Sequence, residues 1–170
     1  MAVNINVSAQ SSGTQSQTNS QTTSNNKKEK MKNITVKQEV KSSPEKIWNI
    51  LRTGDDLDKW LPIIATCDLQ GTGAGAKRVC TTPDGKTLKE TILLVDDKNK
   101  IFKYKIDEQD MLPTKNYVGT VSIVEVNGKF EVHWNAQFEM TMEEAYPDVE
   151  KGLTDILKMA ISSLDAAASK

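Results

Sequence analysis

Residues 117–140 read YVGTVSIVEVNGKFEVHWNAQFEM, and this stretch decides the fold. The pair Asn127-Gly128 suits a two-residue turn in which both residues adopt positive φ. On either side of the pair, apolar and polar residues alternate with the period of two that is typical of a half-buried strand. The stretch therefore predicts an antiparallel hairpin in which one face is apolar and buried, the dry face, and the other is polar and solvated, the wet face. The residues predicted on that face are Tyr117, Gly119, Val121, Ile123, Val132, Trp134, Ala136, Phe138 and Met140.

The same alternation occurs earlier in the chain. Residues 34–40 open the patterned sequence and predict a first strand, and residues 88–94 repeat the period one hairpin before the decisive stretch. We also expect the aromatic side chains of Phe102 and Tyr104 to face inward. Glu90 is the one ionisable residue that the alternation of residues 88–94 places on the dry face. The inward set of that segment is Leu88, Glu90, Ile92 and Leu94.

Three segments carry helix signals. Ser43 and Pro44 predict the start of a first helix, because serine caps a helix and proline is tolerated at its first position. A short second helix ends before Pro62, and a long helix follows Pro147. The order of strand, two helices, six strands and long helix predicts an α+β fold. The apolar residues that recur along the long helix are Val149, Leu153, Ile156, Ala160 and Leu164.

Composition predicts one folded domain after a polar tail. The chain has 170 residues, of which 37% are apolar, and this is enough for one ordinary core. Residues 8–26 are almost entirely Ser, Gln, Thr, Asn and Gly, and such a segment buries too little apolar surface to fold. We therefore expect a disordered tail over residues 1–32 and the folded domain over residues 33–170.

Charge and hydropathy exclude several classes of function. The formal net charge is −1, and the lysines of the tail leave the rest of the chain acidic, so nucleic acid is not expected as a partner. No apolar window approaches the roughly 18 residues of a membrane-spanning helix, so we expect no stable membrane insertion. The N-terminus lacks the apolar core of a secretory signal, and a cytoplasmic location is therefore expected.

Few residues offer metal or nucleotide chemistry. His133 falls on the wet face of its strand, which makes it a poor base or metal ligand. Cys67 and Cys80 lack the close spacing that metal binding favours. They could pair with each other, but two cysteines in a chain of this size do not make a disulfide framework, and we expect buried free thiols. The glycine-rich residues 71–75 lack the Lys-Ser/Thr ending of a phosphate loop. We therefore expect no metal and no cofactor.

Several short motifs occur in a characteristic order. They are SSPEKIW at 42–48, WLP at 60–62, GAGAKR at 73–78, KETI at 89–92, DD at 96–97 and LPTKNY at 112–117. Together with the element order, they resemble the SRPBCC superfamily, which holds the birch pollen allergen, the START lipid-transfer domains and the polyketide cyclase/dehydrase family. The chain looks closest to the branch of cyclase-like proteins, abscisic-acid receptors and lachrymatory-factor synthase. The resemblance implies a helix-grip fold, in which a curved seven-stranded antiparallel sheet surrounds a long C-terminal helix and encloses an apolar cavity, with two short helices after strand 1.

The resemblance also implies a site. Arg78, Glu90 and Tyr117 take positions that face the cavity in relatives, and an arginine and a glutamate in comparable strands of lachrymatory-factor synthase are implicated in chemistry. This trio is our candidate catalytic site, although a ligand anchor or a purely structural network has the same sequence signature. Leu61 replaces the lysine by which abscisic-acid receptors pair with their ligand, so reception of that hormone is not expected. The predicted ligand-binding residues are Leu61, Ile92, Leu94, Phe102, Tyr104, Tyr117, Gly119, Trp134, Phe138, Leu153 and Ile156.

Three functional classes follow from these expectations. The first is a carrier or sensor of a small hydrophobic molecule that is lipid-, polyketide- or isoprenoid-like. The second is a cyclase, dehydratase or isomerase in which Glu90 is the general acid/base and Arg78 stabilises an anion, with a hydrogen bond from Tyr117. The third is an adaptor that binds another protein. We expect a monomer or a weak dimer in each case.

Overall fold

A computed structural model describes residues 30–170 of the chain. Within them, one sheet contains seven antiparallel strands in the order β1-β7-β6-β5-β4-β3-β2. The predicted tail of residues 1–32 lies largely outside the described residues, and the first strand begins at Lys32. The strands are β1 (Lys32–Glu39), β2 (Thr66–Gln70), β3 (Lys77–Thr81), β4 (Thr87–Asp96), β5 (Ile101–Gln109), β6 (Thr114–Val126) and β7 (Lys129–Met140).

Three α-helices complete the predicted helix-grip fold, which is confirmed. They are α1 (Pro44–Leu51), α2 (Leu57–Trp60) and α3 (Tyr146–Ala168). The hydroxyl of Ser43 accepts the backbone N–H of Lys46 at 3.4 Å and caps α1, as predicted. Within residues 30–170, no helix is long and apolar enough to cross a membrane. The residues that α3 buries are Val149, Leu153, Leu157, Ala160, Ile161, Leu164 and Ala168.

The C-terminal half of α3 is hydrogen-bonded to the connection between β1 and α1. The Asp165 carboxylate accepts the backbone N–H groups of Lys41 and Ser42, the latter at 2.8 Å. These two hydrogen bonds and the positive charge of Lys41 lower the pKa of Asp165, although its partial burial acts in the opposite direction. The β1–α1 connection is thereby held against one end of α3. The N-terminal half of the helix contributes instead to an internal cavity.

A β-bulge in β4 overturns one sequence prediction. Ile92 pairs with Tyr104 of β5, but Leu94 pairs with the next residue, Lys103, so that Leu93 is extra in β4. An extra residue shifts the alternation of every side chain beyond it. Leu94 is accordingly 40% exposed, and its predicted place on the dry face is wrong.

A second correction concerns the cysteines. Cys67 of β2 and Cys80 of β3 lie directly opposite each other in the sheet, and a disulfide joins them. The expectation of free thiols rested on the small number of cysteines, whereas strand pairing brings their Cα atoms to 4.0 Å. The bond ties the edge strand β2 to the strand that carries Arg78.

The disulfide gives a direct test of this pairing. When the protein is unfolded in denaturant without reductant, iodoacetamide should label neither cysteine, because both sulfurs are already bonded. Prior reduction should make both residues reactive in the same denaturant. Mass spectrometry of the alkylated peptides measures the outcome, and labelling of both cysteines without reductant would show that the thiols are free after all.

Candidate functional site

An internal cavity of about 490 Å³ lies between the sheet, the N-terminal half of α3 and the two short helices. This volume falls within the range of about 300–1,000 Å³ that is usual for ligand pockets. Aromatic and aliphatic side chains make up most of its wall. Seven of the eleven predicted ligand-binding residues line it: Leu61, Phe102, Tyr104, Tyr117, Trp134, Leu153 and Ile156.

Three other predicted residues are buried one layer behind the wall. Phe138 stacks on the ring of Tyr117 with a centroid distance of 5.8 Å. A side chain at Gly119 would collide with the ring of Tyr104, so this glycine makes the space that Tyr104 occupies. Ile92 is likewise fully buried and does not reach the cavity wall. These residues support the site from behind, and Leu94 stands outside it.

A buried ion pair projects polar atoms into the apolar wall. Arg78 and Glu90 are direct cross-strand partners in β3 and β4, and their side chains are 5% and 3% exposed. The Nε–H of Arg78 donates to Oε2 of Glu90 at 2.5 Å, and Nη1 donates to the carbonyl oxygen of Gly54 at 2.8 Å. A buried charge is tolerated when it is paired and hydrogen-bonded in this way. Both residues line the cavity.

Gly54 is placed for this contact by the end of α1. Its φ of +70° is the left-handed conformation that glycine adopts without strain. The Cβ of any other residue would also collide with the side chain of Ile92. The glycine therefore allows the chain to turn just after the first helix and directs its carbonyl towards Arg78.

Aromatic rings surround the guanidinium of Arg78. Its central carbon lies 5.8 Å from the ring centroid of Phe102 and 5.5 Å from that of Tyr104. A cation at this distance is attracted by the electron-rich ring face. Glu90 and the two aromatic rings thus already stabilise the positive charge of Arg78.

The two cavity tyrosines are hydrogen-bond donors at neutral pH. Burial, with the negative charge of Glu90 adding to it, raises the pKa of Tyr104 to about 12, and burial raises the pKa of Tyr117 well above its usual value. Both phenols therefore keep their protons. The indole N–H of Trp134 donates to the hydroxyl oxygen of Tyr104 at 3.1 Å. Arg78, Glu90 and the two tyrosines thus form a connected polar cluster on one side of the cavity.

Sequence reasoning missed the loops at the cavity mouth. The turn between β3 and β4 contributes Thr82, whose hydroxyl donates to the Asp84 carboxylate at 2.5 Å and accepts the backbone N–H of Lys86 at 3.0 Å. This turn signal was visible in Pro83-Asp84-Gly85, but a turn has no periodicity that shows which way it faces. The missed lining residues include Asp55, Thr82, Pro83, Asp84, Lys86, Met111 and Leu112.

Outside the cavity, the polar groups of residues 30–170 offer no metal-binding centre. His133 lies on the outer face of β7, where its Nε2 is 2.7 Å from a carboxylate oxygen of Glu131. Within the described range, no three His, Cys, Asp or Glu side chains are grouped so that they could hold a metal ion. The internal cavity is therefore the candidate site.

Comparisons with known proteins agree with this geometry. The family model described as "Polyketide cyclase / dehydrase and lipid transport" matches residues 31–169. MLP-like protein 423 of Arabidopsis thaliana is 33% identical over 121 residues, which are 65% of this chain and 78% of the plant protein.

Two solved structures share the fold. Major latex-like protein 151 of Panax ginseng superposes with a TM-score of 0.70 at 19% identity, over 80% of this chain and 96% of the ginseng chain. Norcoclaurine synthase of Thalictrum flavum, in complex with dopamine and hydroxybenzaldehyde, gives a TM-score of 0.66 at 20% identity, over 81% and 86% of the two chains.

The ion pair predicts a large stability effect from a small change. Glu90→Gln should lower the free energy of unfolding by on the order of 3 kcal/mol, because it leaves the buried charge of Arg78 uncompensated. Glu108→Gln is the matched control, since Glu108 pairs with Lys89 at the protein surface and its loss should cost far less. Urea denaturation of both variants measures the difference, and equal effects would contradict the buried pairing.

The two tryptophans at the cavity should respond differently to replacement by phenylalanine. Within residues 30–170, Nε1 of Trp60 is the buried side-chain nitrogen that lacks a hydrogen-bond partner, whereas Nε1 of Trp134 serves Tyr104. Trp134→Phe should therefore cost about 1 kcal/mol more than Trp60→Phe, which removes an unsatisfied donor. Thermal or urea unfolding of the two variants gives the comparison, and the reverse order would contradict this assignment of hydrogen bonds.

Proposed function

The chain belongs to the polyketide cyclase / dehydrase and lipid transport family, and we propose that it binds one small hydrophobic molecule in its internal cavity as a carrier or sensor. The observation that carries this proposal is the cavity of about 490 Å³ with a wall of mainly aromatic and aliphatic side chains. Such a wall, with a few convergent polar groups, is typical of small-molecule sites. A lipid-, polyketide- or isoprenoid-like molecule matches this chemistry.

The polar cluster supports an anchoring role. Arg78, Glu90 and Tyr117 line the same cavity and are surrounded by apolar side chains. A ligand oxygen placed among them replaces its lost hydration with hydrogen bonds, which fixes the orientation of an otherwise apolar molecule. Leu61, Phe102, Tyr104, Trp134, Leu153 and Ile156 then form the apolar contact surface.

An enzymatic role is the second candidate, because ionisable side chains face the cavity. In that case Glu90 is the general acid/base, Arg78 stabilises a developing enolate or similar anion, and Tyr117 donates a hydrogen bond. Norcoclaurine synthase is a synthase with the same fold, captured with two small aromatic compounds. Binding remains our first choice, because Oε2 of Glu90 already accepts a hydrogen bond from Arg78, which reduces its capacity to take a proton from a substrate.

Filling the cavity tests the binding proposal. Ile156 lines the cavity from α3, and Ile156→Trp should weaken the binding of prodan, a neutral naphthalene dye, by at least about tenfold through occupation of that space. Lys158→Trp on the exposed side of the same helix should leave the affinity unchanged. Dye fluorescence measures both affinities.

Two outcomes of the dye experiment would contradict the binding proposal. If prodan does not bind the unmodified protein, or binds Ile156→Trp as tightly, the cavity is not a binding site. Native mass spectrometry of the purified protein adds an independent readout, because a carrier should retain a small molecule that can be extracted and identified. An enzyme, in contrast, should lose turnover but keep binding in Glu90→Gln.

A further inference from the structure

We infer that the cavity selects an uncharged ligand whose polar group is a hydrogen-bond acceptor, such as a ketone, an ester carbonyl or a hydroxyl, and that it rejects carboxylates. This inference rests on the proposed function, because it names the chemical class of the molecule held in the same cavity. It follows from the charges on the cavity wall and from the donors that remain available.

Among residues 30–170, Arg78 is the cation that lies deep in the cavity, and its charge is already neutralised. Arg78 is 4% exposed, and its charge faces the Glu90 carboxylate at 2.5 Å. A ligand carboxylate brought beside Arg78 would therefore also lie beside Glu90. Two buried carboxylates sharing one guanidinium leave a net negative charge without water to stabilise it, and this is strongly unfavourable.

The cavity mouth adds no attraction for anions. Lys86 lines it, but the ammonium group of Lys86 lies 3.6 Å from the carboxylate of Asp84. Asp55 is a further lining carboxylate. The lining thus carries three carboxylates, counting Glu90, against two cations. An anionic ligand is repelled at the entrance as well as at the inner end.

An ammonium ligand is also disfavoured. The faces of Phe102 and Tyr104, which would otherwise attract an organic cation, are already occupied by the guanidinium of Arg78. A second buried cation near Arg78 would be repelled by it. Beside Arg78 and Glu90, a buried ligand group of either charge is therefore disfavoured.

The cavity wall still has hydrogen-bond donors that an uncharged ligand oxygen can accept from. The hydrogen bonds to Glu90 and Gly54 use two of the three nitrogens of Arg78. The hydroxyls of Tyr104 and Tyr117 interact with each other, and burial raises the pKa of both, so the pair uses one of its two protons internally and keeps the other for a ligand at neutral pH. A carbonyl or hydroxyl oxygen can accept from Nη2 of Arg78 or from this tyrosine pair without adding charge.

Three probes with one naphthalene skeleton test the inference on the unmodified protein. They are acetonaphthone, which is neutral, naphthoate and naphthylmethylammonium, and calorimetry or displacement of prodan gives their affinities at neutral pH. Acetonaphthone should bind at least about tenfold more tightly than either charged probe, since a buried unpaired charge costs more than 1.4 kcal/mol. A carboxylate or ammonium probe that binds as tightly as the ketone overturns the inference.

A charge-changing variant gives a sharper prediction. In Glu90→Gln, Arg78 keeps a hydrogen-bond acceptor but loses its counter-charge, so naphthoate should gain at least about tenfold in affinity relative to acetonaphthone. Glu108→Gln removes a carboxylate at the surface and should leave the preference unchanged. No change of preference in Glu90→Gln, in protein that remains folded by circular dichroism, counts against the inference, and the three-probe comparison decides it if that variant does not fold.

The proposed function and this inference fail in different ways. If prodan and all three probes fail to bind, the cavity is not a ligand site and both fall together. If prodan binds and its binding is lost in Ile156→Trp, but naphthoate is the tightest of the three probes, the binding function stands and the selection of uncharged ligands is wrong.

Discussion

The charge of Arg78 must be balanced inside the protein, and much of the site's geometry follows from that requirement. The residue faces Glu90 across β3 and β4, and it also donates to the Gly54 carbonyl at the end of α1. One guanidinium thus connects the sheet to the helical layer that closes the cavity. Because breaking a buried pair exposes an uncompensated charge, these three elements are held in a fixed relation.

The rings beside this pair are held as firmly as the pair itself. Tyr104 occupies the space that Gly119 leaves free, and Tyr117 is stacked on Phe138. Trp134 adds a hydrogen bond to Tyr104. Tyr104 and Tyr117 therefore each have a supporting contact behind them, which keeps these rings from collapsing into the cavity. A site whose supporting layer is rigid keeps its polar groups in position before a ligand arrives.

Sequence periodicity predicted well which face of a strand each side chain takes, but it predicted poorly whether that side chain reaches the cavity wall. The alternation in β6 and β7 placed Tyr117 and Trp134 correctly inward, because the irregularity of β6 at Lys115–Val118 leaves the alternation of burial intact from Tyr117 onward. It failed at Leu94, because a bulge adds a residue without any marker in the sequence. It also could not separate the wall from the layer behind it. Whether Phe138 meets the cavity or another ring depends on neighbouring strands, which one strand's pattern does not contain.

The residues at the cavity mouth and the disulfide could not be predicted from the sequence for a related reason. Met111 and the turn at Pro83 belong to loops, and a loop's sequence specifies its local turn but not the part of the molecule against which it lies. Cys67 and Cys80 meet only because β2 and β3 pair in one particular register. A contact between two distant segments can be predicted only when the fold shows how those segments lie against each other.

The identity of Leu61 links the fold to the chemistry of the site. Leu61 is buried and lines the cavity, at the position where the resemblance places a lysine in the hormone receptors. A lysine there would add an unpaired cation, and the wall could then balance the charge of a ligand carboxylate. With leucine, the charges that the described residues place deep in the wall are Arg78 and Glu90, which already pair with each other. The sequence therefore combines a family fold with a buried part of the wall in which charge is balanced before any ligand binds, and what remains to be recognised there is shape and hydrogen bonding.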